Sequence, residues 1–176
     1  MKQFFLTLVV VVCASLNSFA QISPVRLDVL QKQKTDSKGA GNASKTQIRS
    51  LEISLQNLSR QDCPNLEVHY WFFAKGIKDG DIEVFKKGER KASLAAGQKE
   101  VIESEQVNSS YTEDHFQVEK SKGKGKGGNS KSNSSPKVKK VEGSGDRIVG
   151  YGVRVMDGGK VLTEFFSPQG LKEKLK

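Results

Sequence analysis

Apolar residues in this chain recur at every second position, where a helix face would repeat every three to four. Val25, Leu27 and Val29 alternate with Arg26 and Asp28, and Leu51, Ile53 and Leu55 alternate with Glu52, Ser54 and Gln56. The longest such row is Leu66, Val68, Tyr70, Phe72 and Ala74; another is Val149, Tyr151, Val153 and Val155. Period two places each row on one face of an extended strand, so each row predicts a strand with a buried side. Shorter strands are expected over 82–86, around Ser93 and Leu94, and over 101–107. Asn57 to Asn65, Lys78-Asp79-Gly80-Asp81 and Ala96-Gly97-Gln98 separate these runs as turns. Asp157-Gly158-Gly159 joins 153–156 to 161–166 as a hairpin, its glycines supplying the positive φ that a tight turn needs. About seven short strands without a long helical pattern predict an all-β, antiparallel sandwich. Only Leu171 to Leu175 offers the start of a helix.

Two segments fall outside the alternation. Gln31 to Lys45 is polar, contains Gly39 and Gly41, and is expected to be a loop or an edge. Residues 120–145 are almost devoid of apolar side chains and rich in Gly, Ser, Asn and Lys. Such a stretch buries too little surface to offset the entropy of ordering, which predicts a long disordered insertion before the final hairpin.

Residues 1–20 have the layout of a cleavable signal peptide. Lys2 is followed by the apolar run Phe4 to Ala14, broken only by Thr7, and then by small residues at Ser18 and Ala20 that suit a cut after Ala20. The run is too short to span a bilayer, which takes about 20 apolar residues. Val12 is bulky for lipoprotein processing at Cys13. The expectation is an exported protein, in the periplasm or at the cell surface, with one sandwich domain over 21–176 and no transmembrane segment after signal removal.

Charge sharpens this picture. The formal net charge is +9. Lys2 leaves with the signal, and Lys120, Lys122, Lys124, Lys126, Lys131, Lys137, Lys139 and Lys140 lie in a stretch with no acid, so the remaining body is formally neutral. The basic character therefore belongs to one segment and does not imply a basic face on the domain. These eight lysines read either as a solvated spacer or as a mobile contact for polyanions: acidic polysaccharide, anionic lipid or extracellular nucleic acid. No aromatic residue lies among them, so base stacking and sequence-specific recognition of nucleic acid are not expected. Once Cys13 is removed, Cys63 has no partner within the chain and is expected to be buried at the start of its strand or to bridge to another chain.

The run from Leu51 to Ser59, the strand Leu66 to Ala74 with Trp71, and the hairpin from Gly150 to Phe166 resemble an immunoglobulin- or fibronectin-III-like sandwich. The likeness covers residues 22–170 apart from the insertion. It implies an interaction module of the kind found in small exported bacterial proteins.

Trp71 and Phe73 share the outward face of their strand with Glu67 and His69. They are candidates for a contact surface, together with Arg154, and for a platform that stacks on sugar rings with His69 and Glu67 as hydrogen-bonding flanks. In an immunoglobulin-like order the neighbouring strand would set Ile148, Gly150, Gly152, Arg154 and Met156 outward. The two rings would then cover bare glycine backbone, with Arg154 stacked on Trp71. The pattern admits both roles for the two rings, platform and packing.

Chemistry-bearing patterns are sparse. Gly123-x-Gly125-x-x-Gly128 matches a dinucleotide fingerprint in letters only, since it follows no strand and opens no helix. His69 and His115 are the only histidines, and no Cys/His spacing suggests zinc. Asp79 and Asp81 read as turn formers, and no serine sits in a nucleophile-elbow pattern. Four Asn-x-Ser sequences, at Asn42, Asn57, Asn108 and Asn133, are expected by chance in a chain this rich in both residues. No enzyme activity, cofactor or metal is expected. The expected function is non-enzymatic: binding a protein or cell-envelope partner through a sheet face or edge strand, with carbohydrate or polyanion binding as the alternative.

Overall fold

The computed structural model describes residues 23–38, 44–118 and 138–175. Its strands are β1 (Val25–Lys38), β2 (Ser44–Asn57), β3 (Cys63–Gly76), β4 (Ile82–Leu94), β5 (Lys99–Glu103), β6 (Val107–Thr112), β7 (His115–Val118), β8 (Val138–Val141), β9 (Ser144–Asp157) and β10 (Lys160–Ser167). A short 3-10 helix, Gln169–Leu175, follows the last strand. Every pairing is antiparallel.

Two layers face each other. In one, β2 pairs with β1 along its full length and with β6 and then β5 along its other edge. In the other the order is β4-β3-β9-β10. β9 joins the layers: Ser144 and Gly145 pair with β6, and from Asp146 onward the strand pairs with β3. The period-two rows supply the core between them. Leu51, Ile53 and Leu55 of β2, Leu66, Val68, Tyr70 and Phe72 of β3, and Tyr151, Val153 and Val155 of β9 interlock with Val107, Ala92 and Leu94. Burial of the apolar face of each strand is what fixes its register, since a slip of one residue would turn every such side chain to water.

The sequence undercounts strand. Residues 31–38, expected to be loop or edge, continue β1, which is the edge strand of its layer, and 44–45 begin β2, in register from Val25↔Asn57 to Lys38↔Ser44. Alternation fails to mark them because the far half of β1 is solvated on both faces. The pieces expected at 82–86 and 93–94 are one strand, β4, and the expected 101–107 run breaks into β5 and β6. Of the last residues of the expected disordered insertion, 138–141 and 144–145 are also strand: β8 pairs with β7 from Val118↔Val138 to His115↔Val141, and β9 begins at Ser144. The rest of that insertion to residue 137 and the signal sequence lie outside the described residues. The β9–β10 hairpin turns as the sequence predicts, with Asp157 opposite Lys160 and φ of 53° at Gly158 and 82° at Gly159.

One face assignment is reversed. Phe73 pairs with Gly150 and Ala74 with Ile148, which leaves Val149 as an extra residue in a bulge. A bulge shifts the in–out alternation by one. Ile148, expected outward, is therefore in the main core, and Val149 packs in a second apolar cluster on the outer face of the β4-β3-β9-β10 layer. That cluster is Phe73, Phe166 and Leu171, flanked by Trp71, Ile82, Val149 and Leu175. The 3-10 helix thus lies against the outside of the sheet. Cys63 is buried and unpaired, opposite Leu94 in the β3–β4 ladder. Its thiol is expected to react with a disulfide reagent such as Ellman's only when the protein is unfolded; rapid stoichiometric reaction in native buffer would overturn that placement.

Candidate functional site

The outer face of the β4-β3-β9-β10 layer carries the residues that the sequence marks for contact. Along β3 the outward side chains are Glu67, His69, Trp71 and Phe73, and across the β9 ladder they stand opposite Met156, Arg154, Gly152 and Gly150. Trp71 stacks on Phe166 with ring centroids 6.2 Å apart and on His69 at 6.1 Å. The Arg154 guanidinium lies over the Trp71 ring, 5.6 Å from its centroid. The three rings thus form a stacked row that ends at two carboxylates, Glu67 and Glu89.

Glycine makes this row fit. A Cβ on Gly152 would lie 2.2 Å from a Phe166 ring carbon, and one on Gly150 would lie 2.3 Å from a Leu171 methyl. The glycines are covered by Phe166 and Leu171, residues that follow in the chain, and not by Trp71 and Phe73 as the sequence suggests. Arg154 is also held by Glu164, with Nε donating to Oε2 at 3.1 Å, and Lys172 of the 3-10 helix donates to the other oxygen of the same carboxylate. Burial pulls the Glu164 carboxyl upward, but the hydrogen bonds from Lys172 and Arg154 outweigh it and leave the group below its ordinary range. This triad ties β9, β10 and the helix together.

The candidate residues separate on this geometry. Phe73 is fully buried beneath the helix, so it is a packing residue and drops out of any contact surface. Trp71, His69 and Arg154 are half-buried. His69 and Phe166 stack against Trp71 and Arg154 lies over its ring, and the same half-buried ring lines an open groove. Of the eight lysines, six lie outside the described residues. Lys139 and Lys140 belong to β8 and not to a loose tether, and Lys140 Nζ is 2.9 Å from Asp114 Oδ2. That ion pair, with the Gly143 N–H donating to Asp114 Oδ1, holds the Asp114 carboxyl below its usual range. Asp79 accepts from the Asp81 N–H within its turn. Asn57 is a buried hydrogen-bonding hub, not a glycosylation acceptor.

Two features escape the sequence. The first is an open groove of about 500 Å³ between β4 and the 3-10 helix, lined by Trp71, Val84, Phe85, Lys87, Lys174 and Leu175. Phe85 is the extra residue of a bulge in β4, since Lys86 pairs with Phe72 and Val84 with Phe73. The second is Glu89, which the β3–β4 ladder sets directly opposite His69, so that Glu67, His69 and Glu89 bring their ligand atoms within 4.8 Å of one another. Knowledge of the register between strands that meet across a turn is needed to see either. Among the described residues no helix is long and apolar enough to cross a membrane.

No protein-family model matches the chain, and no curated protein matches its sequence. Among solved structures, the X-ray structure of the Northeast Structural Genomics Consortium target SoR45 matches 84% of this chain and 88% of its own, with 12% identity and a TM-score of 0.37. A beta-glucuronidase from glycoside hydrolase family 2 matches 76% of this chain with 11% identity and a TM-score of 0.34, and the matched part is 10% of that enzyme's chain.

Proposed function

We propose that this chain is an exported, non-enzymatic module with an immunoglobulin-like strand order, and that it binds a protein partner at the cell surface or in the periplasm through the groove along its β4 edge. Export rests on the signal-like residues 1–20. The immunoglobulin-like assignment rests on β9 lying between β3 and β10, with β1 and β2 in the opposite layer.

The observation that carries the contact surface is the state of β4. It is an edge strand with β3 as its ladder partner, and it leaves Val84 and Phe85 each more than a third exposed beside the edge of Trp71 and Leu175. Apolar side chains grouped at a groove, with cations at the rim, have the make-up of a protein-contact site. Lys87 and Lys174 favour a partner segment that carries acidic residues beside its apolar anchors.

A photo-crosslinking amino acid at position 85, introduced in the native host, tests this. One discrete adduct is expected from position 85 and none from position 30, an exposed leucine on the opposite edge strand β1. Equal labelling from both positions, or none from position 85, would overturn the assignment.

A further inference from the structure

Glu67 and His69 are two apart on β3 and so share its outer face, and Glu89 stands opposite His69 on β4. Three potential ligands from two adjacent strands thus converge on one point of a rigid sheet. We propose that Glu67, His69 and Glu89 form a binding site for a divalent transition-metal ion, zinc being the first choice.

The imidazole supplies the clearest sign. His69 Nε2 is shielded from solvent and makes no hydrogen bond, although Glu67 Oε2 is 3.5 Å away. A shielded ring nitrogen that faces a carboxylate without a hydrogen bond to it has a lone pair or a proton to place. Its separation from the carboxylate suits two ligands of one tetrahedral zinc, which at bond lengths of about 2.0–2.2 Å sit roughly 3.4 Å apart. Glu89 is exposed, so its carboxylate has the freedom to close on the same point. Trp71 stacked against His69 restrains the plane of the imidazole.

The chemistry of the set selects the ion. One imidazole with two carboxylates suits zinc or manganese better than calcium, which takes six to eight oxygen ligands. Three protein ligands leave one tetrahedral position for water or for a group from a partner. Two cations compete. Arg154 stands opposite His69 on β9, but its guanidinium is committed to Glu164 and the Trp71 face. Lys91 stands opposite Glu67 on β4 and weakens the site without occupying it. The site goes beyond the groove proposed above, shares only the neighbourhood of Trp71 with it, and stands or falls independently of any partner.

Calorimetric titration of zinc chloride into the untagged protein tests the proposal. One ion per chain is expected to bind in the micromolar range. Glu89→Gln, which alters an exposed side chain, should weaken binding at least ten-fold while leaving the metal-free melting temperature unchanged. His69→Ala should abolish binding. Trp71 is the only tryptophan of the chain, so copper(II) bound at His69 should quench its fluorescence in the parent and not in His69→Ala. Absence of saturable zinc binding, or a Glu89→Gln variant that binds as the parent does, would overturn the site.

Discussion

Replacing Asn57 with alanine is expected to cost about 3 kcal/mol of folding stability, because it strands several buried polar groups at once. The Asn57 side chain is fully buried at the end of β2. Its Nδ2 donates to the carbonyls of Gln61 at 2.8 Å, Ala95 at 3.1 Å and Leu94 at 3.3 Å. Its Oδ1 accepts from the Ser59 N–H at 2.9 Å and the Ser59 hydroxyl at 2.7 Å. One side chain therefore pins the β2–β3 loop to the turn after β4. Aspartate is a sharper probe than alanine: it keeps the shape but replaces the donor amide with a charge facing carbonyl oxygens, so Asn57→Asp should be at least as destabilising at neutral pH. Urea unfolding measures both. A loss for Asn57→Ala below about 1 kcal/mol, the net worth of one ordinary hydrogen bond, would show that the hub does not hold the two turns.

Phe73→Ala is expected to lose about 4 kcal/mol, the range for emptying a phenylalanine site in a packed interior. The size of this effect separates packing from recognition. A surface phenylalanine used for binding would change stability by a few tenths of a kcal/mol when truncated. Phe73 instead anchors the cluster in which Phe166 and Leu171 cover the outer face of β9. Its removal should also loosen the 3-10 helix, read as faster amide exchange over 169–175. If stability falls by less than about 1 kcal/mol and exchange in the helix is unchanged, the helix is not held by this cluster.

The architecture is legible where one strand face is apolar and the other polar. The rows at 51–55, 66–74 and 151–155 mark the core, and the paired glycines at 158 and 159 mark the turn. Legibility ends where that contrast ends. The outer half of β1 is wet on both sides, so its pairing leaves no periodic trace. Bulges are equally silent: nothing in Ile148-Val149-Gly150 announces that Val149 is the extra residue, yet it decides which neighbour enters the core. The outer face is legible in part. The Trp71–Gly152 pairing and the Arg154 contact follow from strand order and register alone. Burial of Phe73 depends on a C-terminal helix too short to show a helical period. The Glu67–His69–Glu89 convergence is invisible because Glu89 lies across a turn whose register only the folded β4 fixes.

The position of β9 between β6 and β3 bears on how the chain reaches this state. The β1–β2 and β3–β4 hairpins are local and can close early, whereas β9 pairs with β3 across roughly eighty residues of sequence. During synthesis from the N-terminus β9 is among the last strands to be made. Until it arrives, β3 presents an unpaired edge, and its core row, with Tyr70 and Phe72, lacks the Val153 and Tyr151 that will stand beside it. The half-made protein is therefore the form most exposed to wrong pairing between chains. Substitutions in β9 should slow folding and lower the yield of monomer more than equally destabilising ones in β1.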